Sequence, residues 1–229
     1  MTGREKILGR IREALTVPAP HPSAHGHEAP HTSFNGRPVH VARGWMPPGG
    51  DTFEEQVARF RAASVELKTD FRFVGSRDEA FAELARIRDA ESWKSVATHR
   101  GELPCAAAAS LSLPLIHTDD GYDVDALEAC DVGVSGCDVL VAQTGTVVVT
   151  NRSAGGRALS VLPPHHVVVA TRDQMVRDLT AAFAQVQERY GASYPSMISF
   201  ITGPSRTGDI ERILVLGAHG PKKLTVLCF

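Results

Sequence analysis

Read as a string of apolar and polar positions, the chain switches repeatedly between a helical period and short apolar runs. Ile7, Leu8, Ile11 and Leu15 recur at helical spacing behind Thr2 and Glu5, a capping-box pair. A short amphipathic helix is expected there, with a stripe that must cover the main domain or a partner, because an isolated helix of this length is marginal in water. The same signature returns with Thr52 and Glu55 ahead of Phe53, Val57, Phe60, Ser64 and Leu67. It returns again with Ser76 and Glu79 ahead of Phe81, Leu84 and Ile87. Apolar runs at 71–74, 95–98 and 115–117 read as strands, with 105–111 helical or irregular between them. This alternation predicts an α/β fold, a mostly parallel sheet flanked by helices.

Further along, 124–129 reads as a short helix, and the runs 139–142 and 147–149 flank Gln143, Thr144, Gly145 and Thr146. That is a hairpin turn, or a bulged strand whose glycine lets the backbone approach a ligand. Gly155, Gly156 and Arg157 lie in a polar, flexible stretch, and Pro163, Pro164, His165 and His166 read as a loop entering the strand 167–170. Adjacent residues on an extended chain point opposite ways, so the two histidines cannot easily share one metal ion. Thr171 and Gln174 form another capping box, with Met175, Leu179, Ala182, Phe183 and Val186 on one face of a long helix ending near Gly191.

The chemistry is concentrated in 199–221. The run 197–201 reads as a strand buried on both faces. Gly203 and Pro204 then force a turn into Ser205, Arg206, Thr207 and Asp209. In an α/β protein ligands usually sit outside the carboxyl ends of the strands, and that rim is where this turn is expected. If 209–213 begins a helical turn, its free N–H groups and Arg206 converge on an anion, each charge-assisted bond contributing roughly 1.5–3 kcal/mol. A Gly-Pro-Ser turn followed by Thr and Asp also joins a strand to a helix for purely structural reasons. His219, Gly220 and Pro221 lie between the runs 213–216 and 224–229, as the loop of an antiparallel hairpin would. The turns near 145 and 203 are expected to meet at one rim, with the Arg206 guanidinium facing a shared cleft.

Composition narrows the class. A chain of 229 residues suits one sizeable α/β domain with an N-terminal appendage, here a helix and Pro/His-rich linker over 1–50 and the main domain over 51–229. His21, His25, His27 and His31 are irregularly spaced in a proline-rich stretch, which reads as solvated linker rather than a metal site. A formal net charge of −2 removes the electrostatic case for nucleic acid. No apolar run approaches the roughly 20 residues of a membrane span, and no signal-peptide run follows the charged N-terminus, so a cytoplasmic location is expected. Cys105, Cys130, Cys137 and Cys228 form no C-x-x-C pair and are expected to be buried reduced thiols, with neither zinc nor iron–sulfur ligation. Neither a dinucleotide fingerprint nor a haem motif is present to accept electrons.

The blocks AQTGTVVV, RALSVLPPHHVVVA and FITGPSRTGDIERILVLGAHGP resemble the lactate-utilisation protein C family, the stand-alone form of the LUD domain, from about Asp131 onward. The resemblance implies a fold akin to the sugar-phosphate isomerase and coenzyme A transferase group. It also implies a part in oxidising L-lactate to pyruvate beside two partner proteins that carry iron–sulfur clusters, with no cofactor in this chain. The family motifs fall on Thr144, Gly145 and Thr146, on Arg157 and Pro163, on Gly203 through Thr207 with Asp209 and Ile210, and on His219, Gly220 and Pro221. Thr144, Gly145, Thr146, Arg157, Gly203, Pro204, Ser205, Arg206, Thr207 and Gly220 are then candidate ligand-binding residues. Arg206 suits an anionic small molecule, since its planar fork matches carboxylate or phosphate, and Asp209 and His219 are candidates for moving a proton. Position 143, commonly acidic in relatives of the fold, is Gln, which argues against covalent carboxylate catalysis. Position 208, commonly Ala, is Gly. Two other roles remain open: a free-standing acyl-, coenzyme A- or folate-type transferase or ligase, and a non-catalytic assembly or regulatory subunit.

Overall fold

A computed structural model describes residues 3–16, 46–207, 215–216 and 220–229. The chain divides into two compact units, Met1–Met46 and Pro47–Phe229. In the first, helix α1 (Gly3–Thr16) forms, with Ile7 and Leu8 exposed. Thr2 and the linker over 17–45 lie outside the described residues.

The second unit runs α2 (Phe53–Leu67), β1 (Asp70–Phe73), α3 (Arg77–Glu91), β2 (Val96–Thr98), α4 (Glu102–Ser110), β3 (Leu115–His117), α5 (Val124–Glu128) and β4 (Val132–Ser135). It continues through β5 (Val139–Val141), β6 (Thr146–Thr150), β7 (His165–Ala170), β8 (Met175–Val176), α6 (Leu179–Tyr190), β9 (Ile198–Ile201), β10 (Arg206–Thr207), β11 (Val215–Leu216) and β12 (Lys223–Cys228). Six strands form a parallel sheet in the order β1-β12-β7-β4-β2-β3. A second sheet, β8-β5-β6-β9, is built round the antiparallel hairpin of β5 and β6.

The period of two along each strand sorts side chains into layers. On β7, Val167 and Val169 join Leu84 and Ile87 of α3 and Ala107 and Ala108 of α4. Val168 and Ala170 turn the other way, into a cluster with Phe60 of α2 and Leu140, Val147 and Val149 of the smaller sheet. The opposite faces of that sheet, Val139, Val141 and Val148, meet Ala182, Val186 and Tyr190 of α6. A strand covered on both sides must be apolar at every position, which is why the runs at 167–170 and 224–228 contain so few polar residues.

Local signals set the helices. The predicted capping box of α2 is present, Glu55 N–H donating to Thr52 Oγ1 at 3.2 Å and Thr52 N–H to Glu55 Oε2 at 3.1 Å. Ser76 caps α3 through its hydroxyl, which accepts from Glu79 N–H at 3.2 Å, while the Glu79 carboxylate accepts from Gly75 N–H rather than from Ser76. Phe60, fully buried, stacks at 4.6 Å on Phe71 of β1 and ties α2 to the parallel sheet.

Four sequence expectations are corrected. Strand β9 is half-buried and pairs antiparallel with β6, so it lies outside the parallel sheet rather than being buried on both faces. Among the described residues the runs at 213–216 and 224–229 do not pair: Val215 and Leu216 of β11 turn back on β10, while β12 is central between β1 and β7. An all-apolar strand gains more by burying both faces than by closing a local hairpin. Met175 lies on β8, because the Thr171 and Gln174 capping box closes a 3-10 turn, and α6 begins only at its own cap, Asp178. Finally, Gly220 and Pro221 immediately precede β12, and Ser205 N–H donates to Pro221 O at 3.0 Å. The Gly203 turn therefore sits at the amino ends of β7 and β12, not the carboxyl rim.

Truncating Phe60 to Ala removes the ring contact between α2 and Phe71 of β1. Urea denaturation should show a loss of about 3–5 kcal/mol, whereas truncating exposed Val65 one turn away should cost under about 0.5 kcal/mol.

Candidate functional site

The two glycine turns of the sequence motifs do meet, and they meet on the end of α2. Gly145 has φ +64°, and a Cβ there would come 2.9 Å from Ala63 Cβ and 3.1 Å from Leu67 Cδ1. Gly203 has φ +87°, with Leu67 O 3.1 Å from the same position. Both conditions favour glycine, the left-handed backbone and the close neighbour, and the neighbour is a helix rather than a ligand. The turns are laced together by hydroxyls, Thr144 Oγ1 to Thr146 Oγ1 at 2.7 Å and Thr146 Oγ1 to Thr202 Oγ1 at 2.9 Å. Arg206 is exposed and donates from Nη2 to Leu67 O. A cation on the last carbonyls of a helix is favourable both as a hydrogen bond and toward the helix dipole.

On the other side of the Gly203 turn lies a cavity of about 210 Å³. Gly203, Pro204 and Ser205 form one wall, Gly220 and Pro221 a second, Ser160 and Val161 a third, and His166, Ile201 and Leu224 complete it. No charged side chain is among these described lining residues, and the polar groups offered are the Ser160 and Ser205 hydroxyls and the His166 ring. The volume lies below the roughly 300–1,000 Å³ of drug-sized sites, so it suits a molecule of few heavy atoms.

His166 is inside β7, 1% exposed, and its Nε2 lies 2.8 Å from Ser135 Oγ of β4. The Ser135 hydroxyl also reaches Gly136 O at 2.9 Å. If it donates there, it accepts the His166 Nε2 proton and leaves the Nδ1 lone pair as an acceptor. Burial, with a smaller contribution from His165, pushes the His166 pKa down to about 3. Neutral imidazole is thus the resting form. His165 faces the opposite side of the sheet, its Nε2 2.9 Å from Thr225 Oγ1, its pKa lowered by burial to about 4 against the opposing pull of Glu91. The expectation that the two point apart holds, but both lie within the strand rather than in a loop before it.

Of the sequence-predicted residues, Gly203, Pro204, Ser205 and Gly220 line the cavity together. Thr144, Gly145, Thr146 and Arg206 are gathered instead at the α2 end. Arg157 donates from Nη2 to Ser196 O at 3.2 Å, away from the lining. Thr207 is placed on β10, and Asp209, Ile210 and His219 lie outside the described residues. His166, weighed in the sequence only as a metal ligand and set aside as a loop residue, and Ser160 and Val161 were not among the candidate site residues. The available signal was a histidine at an even step from the apolar Val168 and Ala170, hence on their buried face. Cys130, Cys137 and Cys228 are buried free thiols and Cys105 is half-buried; burial pushes Cys228 up to about 12. Among the described residues no helix is long and apolar enough to cross a membrane.

The LUD domain family matches residues 116–228. Over 180 residues the chain is 31% identical to lactate utilization protein C of Shouchella clausii, a stretch covering 74% of this chain and 77% of that one. The chain belongs to the lactate utilization protein C family. The family member of Geobacillus kaustophilus is 41% identical over 103 residues, 44% of this chain, and the match spans only 43% of that relative's length. A solved structure similar in fold is that of a DUF162 family protein from Deinococcus radiodurans, with a TM-score of 0.58 over 78% of this chain and 99% of that one. At 21% identity that likeness concerns the fold. Every residue lining the cavity falls inside the LUD match.

Both histidines have folded pKa values below the unfolded value near 6.5, so the unfolded chain binds more protons between them. Their contribution to stability is complete above about pH 6.5 and is lost as pH falls toward 4 and 3. Urea midpoints should fall from pH 7 to pH 5, each histidine adding up to about 1.4 kcal/mol per pH unit. His166→Asn should flatten that dependence; an unchanged slope would refute the buried neutral state.

Proposed function

We propose that this chain is the component without clusters in a system that oxidises L-lactate to pyruvate, acting beside partner proteins that carry iron–sulfur clusters. The observation that carries the reading is the 31% identity across most of the length of a relative named lactate utilization protein C. The cavity supports it by size. About 210 Å³ accommodates a three-carbon hydroxy acid or keto acid with space left for water or a second small group. In this reading Ser160 and Ser205 hydrogen-bond the small acid and neutral His166 accepts from its hydroxyl. Arg206, next to Ser205 in the chain and exposed, spends one N–H on Leu67 O and keeps the rest of its fork for a carboxylate or a partner. Asp209 and His219 complete the proposed set as the groups that move a proton.

Reconstitution tests the reading directly. Cluster-bearing partners purified from the same cells should oxidise L-lactate only when this chain is added. Ser205→Phe, which fills the cavity, should abolish that activity by at least about a hundredfold while leaving the melting temperature within a few degrees. Partners that turn over lactate at full rate alone would end the proposal. Coenzyme A or folate raising the melting temperature where lactate and pyruvate do not would favour a free-standing transferase instead.

A further inference from the structure

A second and larger cavity, about 420 Å³, opens on the opposite face of the parallel sheet at the amino ends of β1, β7 and β12. Its character is different. Lys68, Arg72, Arg86 and Lys223 line it against two carboxylates, Asp70 and Glu91. Most of these charges already hold one another. Arg72 Nη2 lies 2.9 Å from Asp70 and its Nη1 3.4 Å from Glu83, Arg86 Nη1 lies 2.8 Å from Glu83, and Lys223 Nζ lies 2.5 Å from Glu91. With Glu83 counted, four cations meet three carboxylates, and Lys68 makes no ion pair among the described residues. The surplus charge is therefore the Lys68 ammonium.

Deeper in, His165 and Thr225 also line the cavity. His165 is 5% exposed, its Nε2 is taken by Thr225, and its Nδ1 is buried with no hydrogen-bond partner. That atom is closed to solvent, so a ligand group reaches it through a small shift of the ring and then supplies the missing partner. A positive rim over a polar, unsatisfied floor, within the usual volume of small-molecule sites, describes a receptor for a compact anion larger than lactate. Two guanidinium forks sharing one carboxylate leave N–H groups over, in the planar geometry suited to phosphate oxygens.

We propose that this cavity binds a phosphorylated small molecule, with Lys68 and Arg86 on the phosphate and His165 Nδ1 hydrogen-bonded to the body of the ligand. The rim residues Lys68, Arg72 and Arg86 precede residue 116, outside the LUD match. The site is independent of the lactate reading, whose cavity is on the other face of β7.

Trp93 reports on it. The indole meets the His165 ring edge-on at 5.1 Å. In full-length protein with Trp45→Phe, so that Trp93 is the emitter, pyrophosphate titrated at constant ionic strength should change the fluorescence saturably, with half-saturation below about 1 mM. Lys68 has φ +64° at the end of α2, so Lys68→Gly relieves backbone strain and keeps the fold while removing the ammonium. Lys68→Gly and Arg86→Gln should each weaken pyrophosphate by about tenfold or more, and Ser205→Phe should leave it unchanged. A linear response without saturation, unaltered affinity in either cation variant, loss in Ser205→Phe, or citrate binding more tightly than pyrophosphate would each overturn the assignment.

Discussion

The close seating of the end of α2 against two glycine positions, 145 and 203, governs the geometry of the described part of the candidate site. Ala63 and Leu67 occupy the space that side chains at 145 and 203 would need. Phe60, one turn earlier on the same helix face, is locked on Phe71. The helix thereby holds the β5–β6 hairpin and the Gly203 turn in fixed relation to the parallel sheet. The Thr144, Thr146 and Thr202 hydroxyls satisfy one another in that seam, where a lone buried hydroxyl would be costly. The conspicuous glycines and threonines are thus first a packing device. The far side of the Gly203 turn, with Ser205 and Pro204, faces a cavity.

Strand β7 imposes the second constraint. Neighbours cover it on both faces and both edges, so polar residues at its start must find partners inside the protein. His166 finds Ser135 across the sheet on one face, and His165 finds Thr225 on the other. The alternation that separates Val167 from Val168 into different apolar clusters also assigns the two histidines to different cavities. Both cavities lie at the amino ends of the central strands, and at the smaller one Pro163, Pro164, Gly220 and Pro221 precede β7 and β12. Proline withholds the N–H that a further pairing would use, and the sheet opens there.

Helices announced by capping boxes were legible in the sequence, and Thr52 and Ser76 cap as their spacing implies. So was the parallel sheet, because a run such as VVVA has no polar side to give to water. Pairing partners were less legible. Local spacing makes 213–216 and 224–229 look like a hairpin, but the choice of partner for β12 is made by the covered faces of β1 and β7, far off in sequence. Thr171 and Gln174 gave a true cap for a false helix start, since a cap pattern fixes a turn without fixing how long the helix runs. At the site, GPSR and HGP stood out as motifs, and Gly203 and Gly220 do share a cavity. That His166 forms its inner wall depends on which face of β7 packs against which layer, a tertiary fact that spacing alone does not contain.

The inner wall also limits what chemistry the smaller cavity can do with its described residues. A pKa near 3 for His166 means that charging its imidazole in place costs roughly 5 kcal/mol relative to water. That cost comes from burial, and the lining brings no carboxylate to offset it. At neutral pH His166 can accept a hydrogen bond and fix the orientation of a hydroxyl, but it is a poor acceptor of a whole proton. Ser135, fully buried between the ring and the Gly136 carbonyl, holds the tautomer rather than offering a nucleophile to solvent. The described part of the cavity is therefore built to bind and orient. Any proton movement falls to groups whose charge is less penalised than that of the His166 imidazole.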